Sequence, residues 1–244
     1  MAAVNSGAWV GSKGESPKGQ SSMGLPTHAG LVLVSGPSRS GKSRWAEHLA
    51  DRSGLPVTYL ATGANRPGDA AWQQRLRLHR QRRPDHWTTL EVGGELETAL
   101  EGYRTSPTTL VGPAQGLGAE LSQPQPPQGM RWQEEAPTLA TPEKVLLIDS
   151  LGTWLAHHLS LDESAWRQRQ DRLLMALDQQ TSPVVLVCEE VGWGLVPPTA
   201  IGGLFRDRSG SLQQRLMQQA AAAWLVVQGR ALNLMVLGEP VPPG

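Results

Sequence analysis

Short, wholly apolar runs recur along the chain, each followed by a stretch with helical spacing. Leu31 to Ser35 reads as a buried strand. Ser43 to about Arg52 reads as a helix, with Trp45, Ala46, Leu49 and Ala50 on its apolar side. Gly54 and Pro56 break the chain before a second buried strand, Val57 to Ala61. Pro67-Gly68-Asp69 predicts a turn with Asp69 as N-cap, and the helix that follows runs to about Arg82, where Pro84 stops it. Thr88 to Val92 predicts a short strand and Glu95 to Tyr103 a helix. Val145 to Asp149 is another apolar strand, ending in an acid. Trp154 to Leu159 and Glu163 to Leu177 read as helical, the second with Trp166, Leu173, Leu174 and Leu177 as its stripe. Val184 to Cys188 is again all apolar. A helix from about Leu212 to Ala223 and strands at Trp224 to Gln228 and Asn233 to Leu237 complete the pattern. Apolar strands alternating with helices predict an α/β fold: a mostly parallel sheet with helices on both faces and right-handed crossovers.

Two regions lack this pattern. Residues 1–28 are rich in Gly, Ser, Lys and Pro, and about 104–143 are dominated by Pro, Gln, Gly, Thr and Ser. Both are expected to be disordered; with a Pro/Gly-rich tail at 239–244, this leaves one domain at 29–238 with a low-complexity insertion. The formal charge balances to zero, so no overall field favours nucleic acid or a membrane surface. A single cysteine, Cys188, allows neither a disulfide nor a cysteine metal cluster within the chain. No apolar run approaches the ~20 residues that span a bilayer. No secretory signal pattern is present, so a cytoplasmic, reducing location is expected.

The first strand runs into Gly36-Pro37-Ser38-Arg39-Ser40-Gly41-Lys42-Ser43, which is G-x-x-x-x-G-K-S between a strand and a helix. That is the setting a phosphate-binding loop requires. Its glycines allow successive backbone N–H groups to face one anion, with the helix N-terminus behind them. Lys42 is placed to reach the β/γ-phosphates and Ser43 to ligate Mg2+. Asp149, an acid ending an apolar strand after a phosphate loop, is the candidate second Mg2+ group. The motif predicts a nucleotide but not its fate. A single-function kinase or NTPase and a nucleotide-binding regulatory protein both stay open.

Two further clusters carry chemistry. Five arginines, Arg75, Arg77, Arg80, Arg82 and Arg83, sit within nine positions around His79. They form either a solvated helix face or a surface gripping pyrophosphate, which suits arginine's planar fork. His79 falls on one helical face with Trp72 and Leu76, and by spacing alone a packed or surface histidine is the commoner outcome. Glu189-Glu190-Val191-Gly192-Trp193-Gly194, at the end of an apolar strand, is a candidate active-site loop, against the simpler reading of a Gly/Pro turn.

Several segments together resemble the bifunctional adenosylcobinamide kinase/adenosylcobinamide-phosphate guanylyltransferases of cobalamin biosynthesis. They are GPSRSGKSRWAE at 36–47, VTYLATG at 57–63, RLRLHRQRRPDHWTTLE at 75–91, VLLIDSLGTWL at 145–155 and EVGWGLVPPTAIGGLFRD at 190–207. The resemblance implies ATP and GTP as substrates with Mg2+, and adenosylcobinamide and its phosphate as acceptors. It implies a homo-oligomer, a trimer in relatives; the balanced charge leaves no nucleic-acid partner expected. It makes His79 the nucleophile that carries GMP. It places nucleotide contacts at Gly36, Pro37, Ser38, Arg39, Ser40, Gly41, Lys42 and Ser43, at Ala61, Thr62 and Gly63, at Arg80, Gln81, Arg82 and Arg83, and at Glu91 and Asp149. Where the family commonly reads S-N-E-V-G, this chain has Cys188-Glu189-Glu190, an acid in place of an amide. Where it reads G-R-x-N-Q, this chain has Gly210-Ser211-Leu212-Gln213-Gln214.

Overall fold

The computed structural model describes residues 25, 29–63, 68–104, 144–194 and 198–242; within these, the side chains of Ala71, Trp72, Arg75, Leu76, Leu78, His79 and Arg104 are outside the description. The expected disorder of 1–28 and 104–143 therefore falls almost wholly outside the described residues, as does most of the Pro67-Gly68-Asp69 turn's approach.

The elements are β1 (Gly30–Gly36), α1 (Lys42–Arg52), β2 (Val57–Ala61), α2 (Ala70–Arg82), β3 (Thr88–Glu91), α3 (Leu96–Arg104) and β4 (Val145–Asp149). They continue with α4 (Leu151–His157), α5 (Glu163–Asp178), β5 (Pro183–Glu189), α6 (Ala200–Gln219), β6 (Ala220–Val227), β7 (Arg230–Asn233) and α7 (Leu234–Leu237). One seven-stranded sheet has the order β3-β2-β4-β5-β1-β6-β7. All pairings are parallel except β6 with β7. The α/β architecture is therefore as the alternation of strands and helices predicts.

Period-two alternation sorts the strand side chains into two cores. Leu31, Leu33, Leu146, Ile148, Leu186 and Cys188 face α3, α4, α5 and α6, meeting Trp154, Trp166, Leu173 and Leu212. Val32, Val34, Tyr59, Leu147, Val185 and Val187 face the other way, against Ala46, Leu49 and Ala50 of α1 and against Trp87. Both faces are apolar because both are covered, which is why these strands read as unbroken apolar runs.

Helix α4 begins at Leu151 rather than Trp154, and toward the end of the chain three further boundaries differ from the sequence expectation. Helix α6 starts at Ala200, not near Leu212, and runs through Gly202, Gly203 and Gly210. Thr199 caps it by accepting from the Gly202 N–H at 3.2 Å. Arg208, buried in its middle, donates to the carbonyls of His158, Leu159 and Leu161 and lies over the Trp166 ring. Those tertiary contacts outweigh the ~1 kcal/mol cost of each helical glycine. The alanine run Ala220–Ala223 is strand rather than helix, because its backbone pairs with β1, Leu31 opposite Ala220 and Leu33 opposite Ala223. Beyond it, Arg230–Asn233 makes the antiparallel edge. The Asn233 side chain then accepts from the Met235 N–H, turning the expected strand into the short α7.

Glu97 on α3 is fully buried, takes a hydrogen bond from Trp154 Nε1 at 3.3 Å and lies 3.0 Å from Arg169 Nε. That ion pair is close but not aligned as a hydrogen bond. Burial raises the Glu97 carboxyl above its usual range, against the pull of Arg169. A raised folded-state value means the protonated form suits the fold better, so this group's stabilising contribution is full in acid and lost as pH rises through its folded value.

Two outcomes follow. Leu147→Ala, in the fully buried centre of β4, is expected to cost about 2–5 kcal/mol in urea unfolding. For Glu97→Gln, the stability of the natural chain relative to the variant should decline as pH rises above the ordinary glutamate value of about 4.3, read as urea midpoints; a pH-independent difference would contradict the buried-carboxyl account.

Candidate functional site

In a parallel sheet all strands end on one side, and ligands sit where neighbouring strands diverge. Here the carboxyl ends of β1, β2, β4 and β5 border a cavity of about 680 Å3.

The turn from β1 into α1 forms one wall. Gly41 occupies the N-cap of α1 with φ 103°, a left-handed angle that glycine adopts without strain. A Cβ on Gly36 would collide with the Val226 carbonyl oxygen, so this strand end is closed against β6 to anything larger than glycine. The loop is tied at both sides: Gly229 N–H donates to Ser40 O at 3.1 Å, and Glu190 N–H to Gly36 O at 3.0 Å. Lys42 is buried, and its Nζ donates to Pro37 O at 3.4 Å. Pro37, Ser38, Lys42 and Ser43 all line the cavity.

Opposite them stands Asp149 at the end of β4. Tyr59, from the adjacent β2, donates its hydroxyl to Asp149 Oδ2 at 2.7 Å. Burial, then the Asp149 charge, pushes the Tyr59 phenol well above its ordinary value, so it remains a neutral donor. Arg83 lies flat on the Tyr59 ring, 3.4 Å from guanidinium carbon to ring centroid, and its Nη1 donates to Thr89. Arg83 Nε has no hydrogen-bond partner among the described residues.

Beside them Glu189, at the end of β5, accepts from the Ser150 hydroxyl and from the Gly152 N–H at 2.7 Å. The carboxylate thus sits on the first turn of α4, where an acid suits the helix dipole. A Cβ on Gly152 would collide with it. Burial, followed by the charge of Asp149 among the causes that raise it, shifts Glu189 upward. Cys188, fully enclosed next to it, is a thiol pushed well up by burial and is not a poised nucleophile.

Of the residues singled out from sequence, the cavity brings together Pro37, Ser38, Lys42, Ser43, Ala61, Gly63, Arg80, Arg83, Glu91 and Asp149. Arg80 and Glu91 form an exposed ion pair with each other on its rim. Others lie apart from its lining. Arg39 is exposed at φ 60°. Ser40 is buried, with its Oγ accepting from the Lys42 N–H at 3.4 Å. Thr62 is fully buried; it donates to Ser150 O at 2.6 Å and accepts from Ser150 N–H at 2.8 Å, bracing the end of β2 against α4. Gln81 is exposed, and Arg82 reaches back 3.3 Å to Glu47 of α1. His79 lies in α2, and its side chain is outside the described residues. Glu189, Glu190, Val191, Trp193 and Gly194 of the candidate loop after β5 line it too, whereas Tyr59, Ser150 and Thr153 do so without having been singled out as site residues. Tyr59 was hidden as one more β-former in an apolar strand.

Ser43 and Asp149 share this cavity. Both offer hard oxygen ligands, which fit Mg2+, a cation usually held by one or two side chains with water and substrate phosphates completing the shell. Among the described residues no cluster of three or more His, Cys, Asp or Glu is arranged to hold a metal. No helix among them is long and apolar enough to cross a membrane.

The sequence profile of the cobinamide kinase / cobinamide phosphate guanyltransferase family, CobU, matches residues 32–141 and 128–234. The bifunctional adenosylcobalamin biosynthesis protein CobP of Pseudomonas aeruginosa is 32% identical over 213 residues, 86% of this chain and 98% of that protein. The bifunctional adenosylcobalamin biosynthesis proteins CobU of Salmonella typhimurium and Escherichia coli are 30% and 29% identical, each over 84% of this chain and 99% of their own. With the phosphate loop, the acid-ended β4 and the cavity between them in place, the chain belongs to the cobinamide kinase / cobinamide phosphate guanyltransferase family.

Proposed function

We propose that this chain catalyses two successive transfers: phosphorylation of the adenosylcobinamide hydroxyl by a nucleoside triphosphate, and transfer of GMP from GTP to the resulting phosphate, giving adenosylcobinamide-GDP. The observation that carries the reading is one cavity lined at once by the phosphate loop, by Asp149 and by Arg80 and Arg83, which come from the end of the helix containing His79.

In the first transfer the loop amides, Lys42 and Ser43 hold the triphosphate, and the acceptor oxygen attacks the γ-phosphorus. Such reactions are mostly positioning and charge stabilisation. Bound Mg2+, held by Ser43 and Asp149, supplies further neutralisation of the phosphate oxygens. In the second transfer neutral His79 attacks the α-phosphorus of GTP and pyrophosphate leaves. Arg80 and Arg83, which line the cavity, are suited to balance the charge of that leaving group. The acceptor phosphate then attacks the histidine-bound GMP and frees the imidazole. The covalent stage splits one hard transfer into two easier ones.

GTP labelled on its α-phosphate tests the second half. The expected result is an acid-labile protein label that is absent in His79→Ala. A label that persists in the variant would move the nucleophile elsewhere, and turnover with no label would leave a simple kinase. Labelling should also weaken as pH falls through the imidazole range near 6.5, because only the neutral ring attacks. Lys42→Ala tests the first half: kcat/KM for phosphorylation should drop by about 10²–10³, the usual effect of removing one preorganised charge-stabilising group.

A further inference from the structure

Tyr59 stands out among the cavity residues for what touches it on every side. Its ring belongs to the apolar core between the sheet and α1, and the residue is 2% exposed. Arg83 covers the ring at 3.4 Å. A side chain held in this way has no rotamer freedom left, so its hydroxyl is delivered to one point in space. That point is 2.7 Å from Asp149 Oδ2. β2 and β4 are adjacent, with Tyr59 opposite Leu147 and Ala61 opposite Asp149, so the contact crosses directly between neighbouring strands.

Asp149 by contrast is only half-buried, at the open end of its strand. A carboxylate there has two oxygens to present, and the Tyr59 hydroxyl engages one of them. We propose that Tyr59 is the positioning residue for Asp149: its hydroxyl engages Oδ2 and so turns the carboxylate toward the Mg2+–nucleotide complex in the cavity. This rests on the reading of Asp149 as a group that holds the metal.

The arrangement has the form of an outer-shell partner, a neutral donor that orders a metal-binding carboxylate without touching the metal. Removing such partners commonly weakens metal affinity by 10–100-fold. Arg83, stacked on the ring from the end of the histidine-bearing helix, keeps the ring from swinging away from Asp149 and requires only its aromatic face. Tyr59→Phe therefore removes the hydroxyl while retaining the ring, its packing and the arginine platform.

The experiment uses the full chain, Mn2+ as the metal probe and a non-hydrolysable GTP analogue, with bound Mn2+ read by electron paramagnetic resonance. Tyr59→Phe is expected to weaken Mn2+ binding to the protein–nucleotide complex by about tenfold or more. Its KM for GTP at saturating metal should stay at the natural value. Asp149→Asn lowers the same affinity, and adding Tyr59→Phe to it should have little further effect, since two residues acting as one unit are not additive. A Tyr59→Phe affinity within about twofold of the natural chain would overturn the proposal even if the melting temperature falls. So would a full additional loss in the Asp149→Asn background. If the natural chain itself binds no Mn2+ with the nucleotide, the metal-site reading fails and takes this proposal with it, whereas normal binding that is indifferent to Tyr59 sinks the proposal alone.

Discussion

The bend of the chain from β1 into α1 is the constraint on which the rest of the molecule depends. The turn takes backbone angles and clearances that only glycine supplies at positions 36 and 41. Within the loop, Ser40 N–H donates to Pro37 O and Lys42 N–H to Ser40 Oγ. The protein holds it from outside: Gly229 from the β6–β7 turn bonds to Ser40, and Glu190 from the end of β5 bonds to Gly36. The two neighbours of β1 in the sheet are thus the two clamps of the loop.

The sheet order explains why the acid is not beside the loop in the ladder. β5 lies between β1 and β4, so Glu189 ends a strand next to Gly36, while Asp149 ends a strand one place further out. The cavity lies between loop and acid, and Glu189 is part of its lining. This carboxylate is fixed by Ser150 and by the first turn of α4, and Gly152 leaves the room it needs. An acid thus sits at the N-terminus of α4, and burial raises its carboxyl.

The other half of the site is carried by α2 and the segment that follows it. Trp87 anchors that segment in the core, and Arg83 is stacked on Tyr59. Arg82 reaches Glu47 on α1, which ties the arginine-rich helix to the helix of the phosphate loop. The run of basic residues therefore divides by task. Arg83 and Arg80 border the cavity, Arg82 braces two helices, and Arg77 is exposed.

Much of this was legible without coordinates. Wholly apolar strands separated by helices announce a covered parallel sheet, because both faces of each strand must shed water. The phosphate loop and the acid ending β4 are local signals: their chemistry depends on residues adjacent in the chain. What the chain could not reveal alone was anything set by contacts distant in sequence. Arg208 carries α6 through three glycines by bonding to carbonyls about fifty residues away, and β1 draws an alanine run into the sheet against its helical preference. Thr62 looks like a ligand-facing residue at a strand end, yet Ser150 from the next strand's end turns it inward. Tyr59 looks like one more core β-former until the pairing of β2 with β4 brings its hydroxyl to Asp149. Spacing along the chain determined which elements form and which loop grips phosphate; only strand order decided which side chains meet across the cavity, because a periodic pattern records burial but not the identity of the neighbour.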